Sequence, residues 1–153
     1  MPAAPDVLIR CGNRGDVDAM LALEALFPSD RMSRRSVQRF LAVPTARVLV
    51  AEQRDGTMLG NVISLRRAGS HAIRIYSVVV APAARGLGIG QRLIEALHEI
   101  AQTEGCDRVT LEVRADNTAA RALYAKLGYR ELAQLPGYYE DGSDGLRLVR
   151  EIL

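Results

Sequence analysis

A few groups of residues in this sequence have the types and spacing to do chemistry. The first is a glycine-rich run, Arg85-Gly86-Leu87-Gly88-Ile89-Gly90. Glycines let a backbone approach a ligand closely with its N–H groups pointing outward. Where such a run opens a helix, the positive end of the helix dipole suits a phosphate or pyrophosphate. A tight strand-to-helix turn with no ligand has the same composition, so the run alone leaves both open. Spacing narrows the ligand. No Gly-x-x-x-x-Gly-Lys-Ser/Thr run is present, and the third glycine of a Gly-x-Gly-x-x-Gly fingerprint would fall on Gln91. The triphosphate and dinucleotide readings both fail, and the pattern met is Arg-x-x-Gly-x-Gly at Arg85, Gly88 and Gly90.

Glu112 lies in a run where Val109, Leu111 and Val113 alternate with Arg108, Thr110, Glu112 and Arg114. That is the period of a strand, and a carboxylate in mid-sheet is costly to bury without a partner. It is either a proton acceptor or the ion-pair partner of Arg114 or another arginine. Tyr124 is a phenol between Leu123 and Leu127, able to donate a proton or simply to pack. Tyr138 and Tyr139 precede Glu140, Asp141 and Asp144. They are either aromatic cover at a loop edge or the wall of a site whose acids favour a cation.

The elements that must position these groups follow from periodicity. Residues 7–10 read as a strand. Val17, Met20, Leu21 and Leu23 to Leu26 have helical spacing up to Pro28. Ser33 caps a second helix with an apolar stripe at Val37, Phe40 and Leu41, while Arg31, Arg35 and Arg39 recur on another face. Residues 45–54 and 58–67 form a hairpin around Asp55-Gly56, and 72–81 is a third such strand. Residues 88–104 make the longest helix, with Leu93, Ile94, Leu97, Ile100 and Ala101 on one face and Gly105 as its stop. After the strand at 108–114, Asn117 or Thr118 caps a helix ending before Gly128. Residues 129–134 and 146–152 are the last strands. A β-α-β unit at 72–114 should be parallel, within a mixed sheet carrying helices on its faces.

Arg85-x-x-Gly88-x-Gly90 resembles the pyrophosphate loop of the GNAT superfamily, the acyl-CoA-dependent N-acyltransferases. Tyr76-Ser77-Val78-Val79-Val80-x-Pro82 is similar to that family's central strand. Leu111-Glu112-Val113-Arg114 and Asn117-x-x-Ala120-x-x-Leu123-Tyr124-x-x-Leu127-Gly128-Tyr129 are similar to its next strand and helix. Tyr138-Tyr139-Glu140-Asp141-Gly142 resembles the loop of the protein N-terminal branch, most like the ribosomal-protein-alanine (RimI-like) N-acetyltransferases. The match covers about residues 72–150, and the first 70 residues agree only in element order.

The resemblance implies an α/β (α+β) fold. It would be a mixed, mostly antiparallel sheet of about seven strands, flanked by about four helices, with a splayed parallel central strand pair. It implies acetyl-CoA as co-substrate and a primary amine as acceptor. The acceptor would be the N-terminal α-amine of a protein or peptide, with a small amine or amino acid as the alternative. A non-catalytic acyl-CoA sensor is the remote alternative. The backbone of Val78, Val79 and Val80 would bond the pantetheine arm, one N–H polarising the thioester carbonyl. Arg85, Gly86, Leu87, Gly88, Ile89 and Gly90 would hold the pyrophosphate, and Asn117 would touch the cofactor as well as cap its helix. Glu112 would be the general base, directly or through a water. Tyr124 would be the acid toward the sulfur, and would also contact the cofactor. Tyr138 and Tyr139 would flank the acceptor, with Phe27, Asp30 and Arg31 opposite.

Composition sets the outer bounds. With 153 residues, 48% of them hydrophobic, one domain over residues 1–153 is expected to bury its own core without a disulfide or metal. A net charge of +2 points away from a nucleic-acid partner, and 19 of the 20 basic residues are arginine, which reads as codon usage. No run approaches the ~20 apolar residues of a membrane span. Met1-Pro2-Ala3-Ala4-Pro5-Asp6 has neither a basic nor an apolar leader region, which predicts a cytoplasmic protein. Cys11 and Cys106 are then expected to be free thiols. His71 and His98 are expected at the surface, with no metal site. A monomer or homodimer fits this size.

Overall fold

The computed structural model describes residues 6–28 and 31–152. The chain runs β1 (Val7–Cys11), α1 (Val17–Glu24), α2 (Arg34–Ala42), β2 (Ala46–Gln53), β3 (Met58–Arg66) and β4 (Ala72–Val80). It continues through α3 (Ile89–Thr103), β5 (Arg108–Arg114), α4 (Thr118–Lys126), β6 (Arg130–Leu135) and β7 (Gly145–Glu151). The strands form one sheet in the order β1-β2-β3-β4-β5-β7-β6. Every neighbouring pair is antiparallel except β4 and β5, which are parallel. The mixed sheet with four helices is the expected architecture.

Local chemistry sets most boundaries. Ser33 accepts from the Ser36 N–H at the start of α2, and Asn117 accepts from the Ala120 N–H at the start of α4, satisfying N–H groups that helix geometry leaves unpaired. The helix expected to reach Pro28 ends at Glu24 instead, and Ala25 to Pro28 turn away. The run Leu23 to Leu26 therefore changes role partway along, which its uniform composition hides.

Strand alternation divides the interior into two cores. On one face α3 packs Leu93, Ile94 and Leu97 against Leu49, Val62, Ile73 and Leu111. On the other, α1 and α2 bring Val17, Met20, Leu23 and Val37 onto Val48, Val50 and Ile63. In β5, Val109, Leu111 and Val113 all face the first core. Thr110, Glu112 and Arg114 therefore point to the face that α1 and α2 cover over β2 and β3. His98 corrects an expectation. It is buried on α3, with Nε2 2.7 Å from the Tyr129 hydroxyl, and burial followed by the nearby Arg150 charge holds its pKa down to about 4. The neighbouring Glu95 and Glu99 do face solvent, so an apolar stripe one residue wider than periodicity showed takes in the imidazole. Cys106 is buried, Cys11 exposed, and both are free thiols.

Two irregularities shape β4. Its pairing with β3 shifts between Ile63↔Ser77 and Ser64↔Ile75, leaving Tyr76 as an extra residue. A bulge reverses the alternation beyond it. Thus Ile73 and Ile75 face the first core before the bulge, and Val78 and Val80 face it after. Pairing with β5 covers only Ala72–Ile75 against Arg108–Leu111. Close approach to β3 is kept at Gly60, where a Cβ would lie 2.7 Å from the Val79 carbonyl oxygen. Gly60→Ala should force that strand pair apart and cost about 1–3 kcal/mol in a urea titration. Wild-type stability in that variant would show that β3 and β4 can separate freely.

Candidate active site

Past Ile75 and Leu111 the two parallel strands part. β4 stays with β3, and β5 stays with β7. Each then presents an unpaired backbone edge to the gap, and backbone N–H and C=O groups left this way are strong binding groups. The gap is a cleft of about 450 Å³ with Ser77, Val78 and Val79 on one side and Glu112, Arg114 and Tyr124 among its other residues. Of the three valines, Val78 and Val79 line it, while Val80 packs against the core and lies 3.5 Å from where a Gly90 Cβ would be. Asn117 lines it as well as capping α4.

The glycine loop stands at the start of α3. Gly86 and Gly88 have φ of 82° and 75°, a left-handed region that side chains rarely adopt. Space around both is open. The first intrahelical bond of α3 runs from the Arg92 N–H to the Gly88 carbonyl. The N–H groups of Ile89, Gly90 and Gln91 therefore have no partner within the helix. The Ile89 side chain is fully in the core, so only its backbone is offered outward. Leu87 is exposed. The Arg85 guanidinium sits 5.8 Å from the centre of the Phe27 ring, a cation–π contact that ties this loop to the segment after α1.

Two carboxylates reach the cleft in different surroundings. Glu112 is bonded by Arg74 Nε and by Arg147 Nε, each at 3.2 Å. Of the two roles open to it, ion pairing is realised, with Arg74 and Arg147 rather than Arg114. Glu24, at the end of α1, also lines the cleft. It is 5% exposed and accepts from the Met32 N–H at 3.1 Å and from the Ser77 side chain. Burial pushes its pKa above the ordinary carboxylate range, against the pull of the Met32 and Ser77 bonds and the Arg31 charge. Glu24 was not singled out in the sequence, yet a signal was there. Val17, Met20 and Glu24 fall at helical spacing on one stripe, so the acid interrupts an otherwise apolar face.

The tyrosines separate. Tyr124 is buried at the cleft, and burial, with Tyr139 adding to it, pushes its pKa up to about 12. It is therefore a protonated donor across the neutral range. Tyr139 lines the cleft with the Arg114 guanidinium 4.2 Å from its ring centre. Tyr138 is 43% exposed, and its hydroxyl accepts from Arg74 at 3.4 Å. Phe27 lines the opposite wall, and Arg31 is held there by a bond from its Nε to the Phe27 carbonyl. Asp30 lies outside the described residues. The loop acids do structural work: Asp141 pairs with Arg114 at 2.9 Å, and Asp144 accepts from the Gly137 N–H at 2.8 Å. Among the described residues no cluster of metal-ligating side chains occurs.

A model of the acetyltransferase (GNAT) family matches residues 17–129. The chain is 33% identical to the N-alpha-acetyltransferase RimI of Mycobacterium tuberculosis, over 95% of this chain and 92% of that protein. It is 36% identical to an uncharacterized N-acetyltransferase of Methanocaldococcus jannaschii, over 63% of this chain and 62% of that protein, just under two thirds of its length. The crystal structure of the ribosomal-protein-S18-alanine N-acetyltransferase from Escherichia coli is similar with a TM-score of 0.87 and 25% identity. The match covers 95% of this chain and 94% of that one.

The buried Glu24 generates a prediction. Its charged form is penalised in the folded protein, so the stability it contributes is full below the ordinary carboxylate range. That contribution is lost as pH rises through the raised pKa. Glu24→Gln should therefore melt at a higher temperature than the wild type at about pH 7.5, and the gain should vanish by about pH 4. Thermal melts showing no gain at neutral pH would mean that the carboxylate carries no desolvation penalty.

Proposed function

The chain belongs to the acetyltransferase (GNAT) family and is an N-acetyltransferase, and from that premise we propose that it transfers acetyl from acetyl-CoA to the N-terminal α-amine of a protein or peptide. The observation carrying this reading is the gap between β4 and β5, where an open backbone edge, Tyr124 and two carboxylates meet in one cleft. An extended pantetheine arm can hydrogen-bond to the β4 edge as an added strand would. The left-handed glycines and the free N–H groups of α3 suit the pyrophosphate.

In the reaction, the amine nitrogen attacks the thioester carbonyl, the C–N bond forms, the C–S bond breaks and the amine proton is lost. A β4 N–H aimed at the carbonyl oxygen would stabilise the charge developing there. An α-amine, with a pKa of about 7.7–8.0, is already roughly a tenth neutral at pH 7, so a modest base suffices. Glu112 faces the acceptor side of the sheet and is the base we assign, directly or through a water. Its two arginines hold it in place. Glu24, on the opposite wall with a raised proton affinity, is a second acceptor for the same proton. Tyr124 donates to the sulfur as charge develops. With a pKa near 12 it is less acidic than an ordinary thiol, so its contribution is a hydrogen bond to the leaving thiolate rather than complete transfer. Tyr139 and Phe27 bound the acceptor side. The homologue and structural neighbour named for α-amine acetylation support the acceptor class.

CoA-thiol release with a panel of N-terminal peptides and free small amines tests the acceptor, and turnover confined to small amines would overturn the peptide reading. Glu112→Gln should lower kcat by about 10²-fold or more, with acetyl-CoA affinity changed little. Tyr124→Phe should lower kcat by about 10-fold or more while the fold is kept. An unchanged pH–rate profile in Glu112→Gln would remove its assignment as base. Gly88→Val should weaken CoA binding in calorimetry, because a β-branched residue resists the left-handed backbone and narrows the phosphate cradle. Wild-type affinity there would remove the loop from the cofactor site.

A further inference from the structure

Beyond Glu112 the cleft does not end. A groove of about 220 Å³ continues along the same face toward the β3–β4 turn, bordered by Arg67, Ala72, Arg74, Thr110 and Arg147. Tyr76 and Glu112 line both spaces, so the groove adjoins the cleft at these two side chains. The charge in the groove is unbalanced. Three guanidinium groups, Arg67, Arg74 and Arg147, face one lining carboxylate, and that carboxylate is already shared by Arg74 and Arg147. Arg67 is exposed and has no ion-pair partner among the described residues. Arg74 and Arg147 are each more than a third exposed on the groove. Asp141 and Asp144 of the β6–β7 loop are not among the residues bordering the groove, and Asp141 is paired with Arg114.

We propose that this groove holds the acceptor chain past its amine and selects acceptors with an acidic side chain two to four residues from the reacting nitrogen. The proposal rests on the peptide reading above. Length supports the position. From Tyr76 to Ala72 is four residues of strand, roughly 13 Å at ~3.3 Å per residue, which an extended acceptor covers in about four residues. An arginine fork is also the side chain best matched to a carboxylate.

The test uses four peptides on the CoA-bound protein. Ala-Glu-Glu-Ala-amide, Ala-Gln-Gln-Ala-amide and Ala-Arg-Arg-Ala-amide vary the side chains. Ala-Gln-Gln-Ala with a free C-terminus supplies a carboxylate from the chain end. Binding is read by calorimetry, which needs no turnover. At low salt the acidic amide should bind about 10-fold or more tightly than the basic one, the gap shrinking as salt rises. Arg67→Glu should abolish the preference and Arg67→Lys should retain most of it. Equal affinities, a preference for the basic peptide, or an unaltered ratio in Arg67→Glu would each overturn the proposal. Tight binding only of the free C-terminal peptide would replace the side-chain reading with a terminal carboxylate. Acetylation of the neutral amide separates the two readings. If no peptide is acetylated while the acidic one still binds best, the reaction reading fails and the groove stands.

Discussion

The parting of β4 from β5 is the constraint on which the rest of the structure depends. Two parallel strands inside a sheet normally satisfy each other's backbone groups along their length, because unpaired N–H and C=O groups buried in protein are costly. Here the ladder stops after Ile75 and Leu111, and the remaining halves of both strands keep only their outer partners. The bulge at Tyr76 changes the side-chain parity of β4 at the same point, so Val78 and Val80 still reach the core while the strand leaves its neighbour. The cleft thus opens without a cavity in the packing. Its edge of free backbone groups is what makes an extended, amide-bearing arm a natural occupant.

Charge is arranged around that opening by exposure. β5 buries Val109, Leu111 and Val113, and the opposite side of the same strand holds Glu112 where helices α1 and α2 do not cover it. A carboxylate there is shared by two arginines, Arg74 and Arg147. Glu24 sits in the reverse situation. It closes an apolar stripe of α1, its proton affinity is raised by burial, and its bonds come from a backbone N–H and a serine. Two acids therefore reach one cleft from different surroundings, Glu24 buried against a backbone N–H and a serine, Glu112 between two arginines.

Much of this was legible from residues alone. The order of elements, the parallel pair, the Ser33 and Asn117 caps and the hairpin at Asp55-Gly56 follow from periodicity and turn chemistry, which are local properties. The glycine loop was legible because left-handed φ at Gly86 and Gly88 has few other residue solutions. What escaped was set by contacts distant in sequence. His98 is flanked by two glutamates, yet Tyr129, 31 residues on, meets it in the interior. Glu112 found its partners on β4 and β7 rather than two positions along its own strand. Glu24 gave only a faint signal, an acid at the end of the Val17–Met20 stripe, and its partners Met32 and Ser77 lie on other elements. The contacts of the tyrosine-loop acids were likewise not legible: Asp141 pairs with Arg114 and Asp144 accepts from the Gly137 N–H.

The two cores explain why the site lies where it does. Tyr124 belongs to the core under α3, whereas Glu24, Met20 and Leu23 come from the helix that closes the other. Residues of the first core flank the cleft on both β4 and β5, and the end of α1, which closes the second core, borders it. Arg85 over Phe27 spans it, joining the loop before α3 to the segment after α1. A ligand entering between β4 and β5 must then touch groups from both sides. Backbone edge and glycine loop come with one, and the Glu24–Phe27 wall comes with the other. The glycine loop is packed on α3 and its own core, so Arg85 over Phe27 is the contact by which a shift of α1 would reach it. Under the proposed reaction the acceptor would meet the Glu24–Phe27 wall, and the acyl donor would be held by the β4 edge and the glycine loop, so one ligand pair would bridge both cores.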